Sequence, residues 1–271
     1  MEMSLNTELA RKLEGDLLEG NKELMQVWNE VDQKSELKVL ELENIVAVYG
    51  GPDCPINEAV GLGMYGPVQE EFIEAIEEFY GSNNDDTEIR VCPLAHKSLV
   101  EFTQKRGYVL SGFSYRWVLN LESWTSPVMV PDSRVRPAMP QDEDHWSKAV
   151  ASGFADQDNI SQTADLTLEH AFFRMKSSIP FIAEEKGKVV AGGVLALSDD
   201  VASLFATSTL PSYRGRGIQT GLLDSRLQYA KDHGARIATI ETDPGSASQR
   251  NVERVGFRLA YVTAELVKHR R

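Results

Sequence analysis

Residues 204–223 read Leu204-Phe-Ala-Thr-Ser-Thr-Leu-Pro-Ser-Tyr-Arg-Gly-Arg-Gly-Ile-Gln-Thr-Gly-Leu-Leu223, and the fold turns on this stretch. It has three parts: a strand-like run, a basic glycine-rich turn and the start of a helix. Leu222, Leu223, Leu227 and Ala230 recur at helical spacing and should face a core. Gly215 and Gly217 let the backbone approach a ligand closely and turn several N–H groups the same way. The helix start adds free donors and the positive end of a dipole. Arg214 and Arg216 add full charges. Together these features describe a cradle for a pyrophosphate. A basic turn that needs glycine only to bend would look similar, so the flanking sequence has to decide.

Working outward, residues 201–209 read as a strand and 216–233 as a helix closed by Gly234. Downstream come a strand at 236–242, a helix at 246–255 closed by Gly256, and a strand at 257–267. Upstream, 180–184 and 188–197 read as a hairpin turning at Glu185-Lys186-Gly187. Helices at 141–152 and 166–176 precede it, and 134–137 reads as a strand. Asp199 and Asp200 read as a turn. The proline-bearing stretch 126–133 reads as a linker. The resulting class is α/β, mixed and α+β-like: a mixed sheet with helices on both faces.

Before the linker, the first 40 or so residues read as helix, with Leu5, Leu9, Leu13 and Leu17 every four positions. Strands follow at 45–49 and 59–64, and an acidic helix follows Pro67. A strand at 88–94, a helix at 97–106 and a strand at 108–121 complete this half. Glu88–Tyr108 resembles Arg236–Phe257: strand, helix, basic residue, glycine, aromatic, strand. The chain therefore reads as two similar domains in tandem, 1–125 and 132–271.

Residues 204–223 are similar to the acyl-CoA motif of the GNAT superfamily of N-acetyltransferases. In that family a strand leads into Pro-x-Tyr/Phe-Arg-Gly-x-Gly and then a helix; here Pro211, Tyr213, Arg214, Gly215 and Gly217 stand in that order. Residues 246–257, Ser-Ala-Ser-Gln-Arg-Asn-Val-Glu-Arg-Val-Gly-Phe, resemble the family's next helix, which usually ends Glu-Lys-x-Gly-Phe. The resemblance covers about residues 133–271 and extends faintly to 45–121. It implies a splayed mixed sheet flanked by helices, with acetyl-CoA as co-substrate and a primary amine of a small molecule or peptide as acceptor. The open strand edge at Thr207, Ser208 and Thr209 should bind the pantetheine amides as an added strand would. The cradle should be Arg214, Gly215, Arg216, Gly217, Ile218, Gln219 and Thr220. Ser246, Ser248 and Asn251 should flank the pantetheine arm.

Two positions depart from the family. Gln219 stands where it usually has glycine or alanine. Val252 stands where a tyrosine often protonates the departing thiolate, so the catalytic residues are unknown. Glu241 and Asp243, at the end of a strand, are candidate bases or simple helix caps. An acyl-CoA-binding sensor with little turnover remains the alternative. A Rossmann dinucleotide loop is a rival reading of Gly215-x-Gly217, although its third glycine would be Thr220.

In the first half the equivalent junction, Gly63–Glu71, has no arginine and sets Glu70 and Glu71 in the first helical turn. Those carboxylates would repel a phosphate, so this degenerate GNAT-like half is not expected to bind CoA.

Residues 1–131 hold 23 Asp and Glu against 10 Lys and Arg, a balance of −13; residues 132–271 hold 18 of each, a balance of zero. An acidic chain is a poor general nucleic-acid binder; the charge of the first half could attract a cationic amine, although a solvated acidic surface is the plainer reading. There is no apolar run of about 18 residues, the length a membrane helix needs, and no secretory leader. The two cysteines, Cys54 and Cys92, suggest the cytoplasm. The five histidines are scattered, and no metal site is expected. A homodimer is left open.

Overall fold

A computed structural model describes residues 5–32, 37–52 and 54–270. Among the described residues the chain runs α1 (Thr7–Val31), β1 (Lys38–Leu42), β2 (Ile45–Tyr49), β3 (Ala59–Val60), α2 (Glu70–Ser82), β4 (Thr87–Val91), α3 (Ser98–Lys105) and β5 (Val109–Asn120). It continues through β6 (Val135–Pro137), α4 (Glu143–Phe154), α5 (Thr167–Arg174), β7 (Ser178–Glu185), β8 (Lys188–Ser198), β9 (Val201–Thr209), α6 (Ile218–Asp232), β10 (Ile237–Thr242), α7 (Ala247–Val255) and β11 (Arg258–Lys268). This is the mixed α/β class expected. The sequence reading differs at the front: the helix stops at Val31, and 38–42 is a strand. Residues 1–4 and 33–36 of that expected helix lie outside the described residues.

The chain divides into two compact units. One comprises residues 117–259, the other residues 1–116 with 260–271. The sequence set the limits at 1–125 and 132–271. The chain passes from one unit to the other inside β5 and returns inside β11, so each long strand ends in the unit opposite to the one in which it begins.

In the 117–259 unit, β6–β7–β8–β9 form an antiparallel run and β9 pairs in parallel with β10. The end of β5 lies beside β10, where the Trp117 indole N–H donates to Thr242 Oγ1 and Thr239 Oγ1 donates to the Trp117 carbonyl. α4 and α5 cover one face. Trp146 and Val150 of α4 are buried against Ile182 and Val194, with Phe172 and Phe173 of α5 packed around them. α6 packs against β7, β8 and β9, and Leu222, Leu223, Leu227 and Ala230 are all buried, as their spacing predicts. The stretch 126–133 lies along α6: Ser126 Oγ donates to Asp224, and Asp132 sits against Gly221 so closely that a Cβ there would meet it at 2.8 Å.

The other unit repeats the pattern with fewer residues. β2 pairs antiparallel with β1 and β3, β3 is parallel to β4, and the end of β11 pairs antiparallel with β4. β3 stops after two residues, where the sequence reading runs it to Met64. Gly61 turns the chain with φ +89°, and a Cβ there would lie 2.2 Å from the Asn44 carbonyl oxygen. α1 is capped by Asn6, whose side chain accepts from the Leu9 N–H.

Candidate functional site

The parallel ladder between β9 and β10 runs from Val201↔Ile237 to Leu204↔Ile240 and ends there. β9 continues to Thr209 beside β8 alone. Residues 205–209 therefore present a backbone edge from which β10 has separated. Alternation sets which groups face it. The Leu210 N–H bonds to Val190 on β8, so the Thr209 N–H points to the open side. The register of β8 and β9 also slips between Gly192 and Val194. Two residues of β9, Ala206 and Thr207, thus oppose Gly193 alone, and Ala206 takes φ +47°. This is a β-bulge, which re-aims the strand's groups.

The side chains expected on this edge are engaged inside the protein. Thr207 Oγ1 donates to the Phe205 carbonyl on the face toward α6. Ser208 Oγ donates to the Val150 carbonyl of α4. Thr209 Oγ1 accepts from Gln219 Nε2 at 2.8 Å. What the edge offers a ligand is backbone.

Immediately beyond lies the glycine-rich turn. Gly215 and Gly217 take φ +74° and +78°, and a Cβ on either would meet nothing within 4 Å. Ile218 begins α6, and the first intrahelical bond runs from the Gly221 N–H to the Gly217 carbonyl. The N–H groups of Gly215, Arg216, Gly217, Ile218, Gln219 and Thr220 make no hydrogen bond among the described residues. Six adjacent amides at a helix start, with open space before them, fit a pyrophosphate. Gln219, the departure from the family, sends its side chain back to Thr209 and leaves its amide in place.

The two arginines act differently from the simple expectation that both face the ligand. Arg214 braces the turn: Nε donates to the Thr209 carbonyl, Nη2 to the Gly153 carbonyl, and Nη1 pairs with Asp156. Arg216 pairs with Glu185 at 3.0 Å, donates to the Ser212 carbonyl and lies over the Tyr213 ring at 4.9 Å. Both side chains are about half exposed, at 47% and 48%, so their fields still reach the cradle.

Ser246 is the N-cap of α7 and accepts from the Gln249 N–H. Ser248 is exposed, and Asn251 accepts from Arg254 at 3.0 Å. α7 packs against α6, which sets these three residues on the helix beside the cradle. Val252 is fully buried and carries no polar group. Asp243 is exposed and its carbonyl accepts from Ser246, while Glu241 is half-buried on β10. The dinucleotide rival loses its context: β9 lies between an antiparallel and a parallel neighbour, not at the start of a parallel doubly wound sheet.

Two groups escaped the sequence reading. Arg226, midway along α6, is 0% exposed. Its Nε donates to the Leu222 carbonyl, and its Nη1 to the Val194 carbonyl at 2.9 Å and to Thr207 Oγ1 at 2.7 Å. Glu169, on α5, shares a helix face with Phe172 and Phe173. Phe172 meets Phe205 edge-on at 5.3 Å, next to the bulge. Burial raises the Glu169 pKa, and the nearby Asp165 adds to that.

In the 1–116/260–271 unit the matching junction is closed. The His96 N–H donates to the Gly63 carbonyl, the Val68 N–H to Ser98 Oγ, and Arg11 Nε to the Met64 carbonyl. A Cβ on Gly63 would lie 3.2 Å from the His96 nitrogen. Within this unit the segment after β4 thus occupies the place that corresponds to the opening between β9 and β10.

The comparisons agree with this geometry. The sequence model of the acetyltransferase (GNAT) family matches residues 144–257. A GCN5-related N-acetyltransferase from Kribbella flavida superposes with TM-score 0.65 at 15% identity, covering 100% of this chain and 98% of its own. One from Sphaerobacter thermophilus gives TM-score 0.60 at 13% identity, covering 86% and 75%. A tandem GNAT protein from the clavulanic acid biosynthesis pathway gives 0.55 at 13%, covering 83% and 78%. At these identities the solved structures share the fold. No curated protein sequence matches the chain. Residues 144–257 form a GNAT acetyltransferase domain. No helix among the described residues is long and apolar enough to cross a membrane.

Proposed function

We propose that the chain transfers an acetyl group from acetyl-CoA to a primary amine of a small molecule or peptide. The observation that carries this is the pairing of two backbone surfaces: the edge of β9 that β10 leaves, and the six unbonded amides of residues 215–220. The first suits the amides of a pantetheine arm, as strand addition requires. The second suits its pyrophosphate. Thr207, Ser208 and Thr209 contribute main chain; Ser246, Ser248 and Asn251 border the arm from α7. The half that carries the closed junction does not bind CoA, and the −13 balance of residues 1–131 favours cationic acceptors.

In the reaction the neutral amine nitrogen attacks the thioester carbon, and the C=O electron pair moves to oxygen. The C–S bond then breaks, and the thiolate takes up the proton that nitrogen loses. A backbone N–H of residues 206–208 would stabilise the oxygen. The base that first deprotonates an ammonium acceptor needs a pKa nearer to neutrality than an ordinary carboxylate has. Burial moves Glu169 in that direction. Glu169→Gln and Glu241→Gln, assayed across pH, separate the two carboxylates. Among the described residues Cys54 and Cys92 are not joined in a disulfide, which supports a cytoplasmic setting.

Steady-state release of free thiol from acetyl-CoA, measured against a panel of primary amines, tests turnover. Amine-dependent release that saturates supports the enzyme. Tight acetyl-CoA binding without release for any amine supports the sensor reading, which the buried Val252 in place of a proton-donating tyrosine favours.

A further inference from the structure

An arginine on the buried face of α6 is chemically out of place. Its inward neighbours Leu222, Leu223 and Leu227 are apolar and buried. Among the described residues no carboxylate pairs with Arg226. Burial alone draws its pKa down to about 9, so it keeps its proton at neutral pH. Its Nη2 has no hydrogen-bond partner among the described residues. A buried, unneutralised charge is costly to hold. It persists where the surroundings over-determine it or where it does something.

Two of its acceptors, the Val194 carbonyl and Thr207 Oγ1, stand beside the bulge. A bulge breaks the ladder locally, and Arg226 Nη1 takes the Val194 carbonyl at that break. The same nitrogen donates to Thr207 Oγ1, which donates in turn to the Phe205 carbonyl at 3.1 Å. This chain of bonds spans Ala206, the residue held at φ +47°. Such a backbone is unfavourable for a residue with a Cβ. Gly193 leaves the room required: a Cβ there would lie 2.7 Å from Thr207 Oγ1 and 2.8 Å from Arg226 Nη1.

We propose that Arg226 is a positioning residue for the thioester: it holds the β9 bulge in shape and places an unneutralised positive charge behind the strand edge where the carbonyl oxygen gains negative charge. The inference rests on the acetyl-transfer reading above. Its logic is differential binding. The cost of the bare charge is present in the free protein. That cost is offset only when an anion forms in front of it, so the charge favours the transition state over the ground state. A water-poor setting makes the effect reach further than it would at the surface.

The test is the infrared band of acetyl-CoA labelled with carbon-13 at the thioester carbonyl, bound to the full chain. The unmodified protein shifts this band to lower frequency. Arg226→Met binds acetyl-CoA as well, because the amide cradle is untouched, but loses most of the shift. Arg226→Lys, which keeps a charge, recovers part of it. Thr207→Val, which cuts the link to the bulge without altering charge, loses part. An undiminished shift in a folded Arg226→Met overturns the proposal. So does binding to the unmodified protein with no shift. If Arg226→Met does not fold, Thr207→Val decides, and an undiminished shift there overturns it. Failure of the unmodified protein to bind acetyl-CoA refutes instead the reading beneath.

Discussion

Gly193→Ala makes the support of the bulge measurable without altering the cradle or removing a charge. The added methyl would lie 2.7 Å from Thr207 Oγ1, 2.8 Å from Arg226 Nη1 and 3.1 Å from its Cζ. None of these can retreat cheaply. Arg226 is fully buried and tied to the carbonyls of Leu222 and Val194, and Thr207 is tied to Phe205. Overpacking of this kind costs about 1–3 kcal/mol. Moving the guanidinium would break its bonds to the Val194 carbonyl and Thr207 Oγ1, and a buried donor left unsatisfied adds about 1–3 kcal/mol. Relaxation removes part of that sum, leaving on the order of 2–4 kcal/mol, or a fall in Tm of roughly 4–16 °C for a chain of this size. Differential scanning calorimetry on the purified variant reads it directly. An unchanged or raised Tm would refute the packing argument and, with it, the claim that the bulge is held from behind.

Other outcomes follow from the same physical reasoning. Gly20→Ala, in the middle of α1 where a Cβ meets nothing within 4 Å, should raise stability by about 0.5–1 kcal/mol in a urea titration. Cys92 is buried, and burial followed by the neighbouring Glu14 pushes its thiol up to about 12; a thiol reagent at pH 8 should leave it unmodified until the protein is denatured. Asp142 accepts from Arg136 and from the Met139 N–H, which holds its carboxyl below the ordinary value of 3.8. Its contribution is present above 3.8 and is lost as pH falls through the lower folded value, so the Tm gap between the unmodified protein and Asp142→Asn should narrow in that acid window.

The geometry of the glycine-rich turn is readable because it is written in residue types. Gly215, Gly217 and the helix behind them leave few other conformations, and Ser246 and Gly256 cap α7 where the sequence places its ends. The bulge was not readable. It depends on Ala206, an ordinary residue held at positive φ by partners on β8 and α6. β1 was hidden because Lys38–Leu42 alternates weakly and becomes a strand only by pairing with β2. The ends of β5 and β11 find partners remote in sequence, which local pattern does not encode. Arg226 did leave a trace. It stands four residues after Leu222 and three after Leu223, on the face that the leucines mark as buried. A charged residue at such a position is a signal in its own right.

Whether the turn at 215–220 holds the pyrophosphate of acetyl-CoA decides the proposed function. Titration calorimetry of acetyl-CoA into the full chain, with Arg216→Glu and Gly217→Glu alongside, tests this most directly. The expected result is binding at one site per chain, abolished by both substitutions, because each sets a carboxylate against the six free amides. Absence of binding to the unmodified protein, or binding that survives both changes, would contradict it.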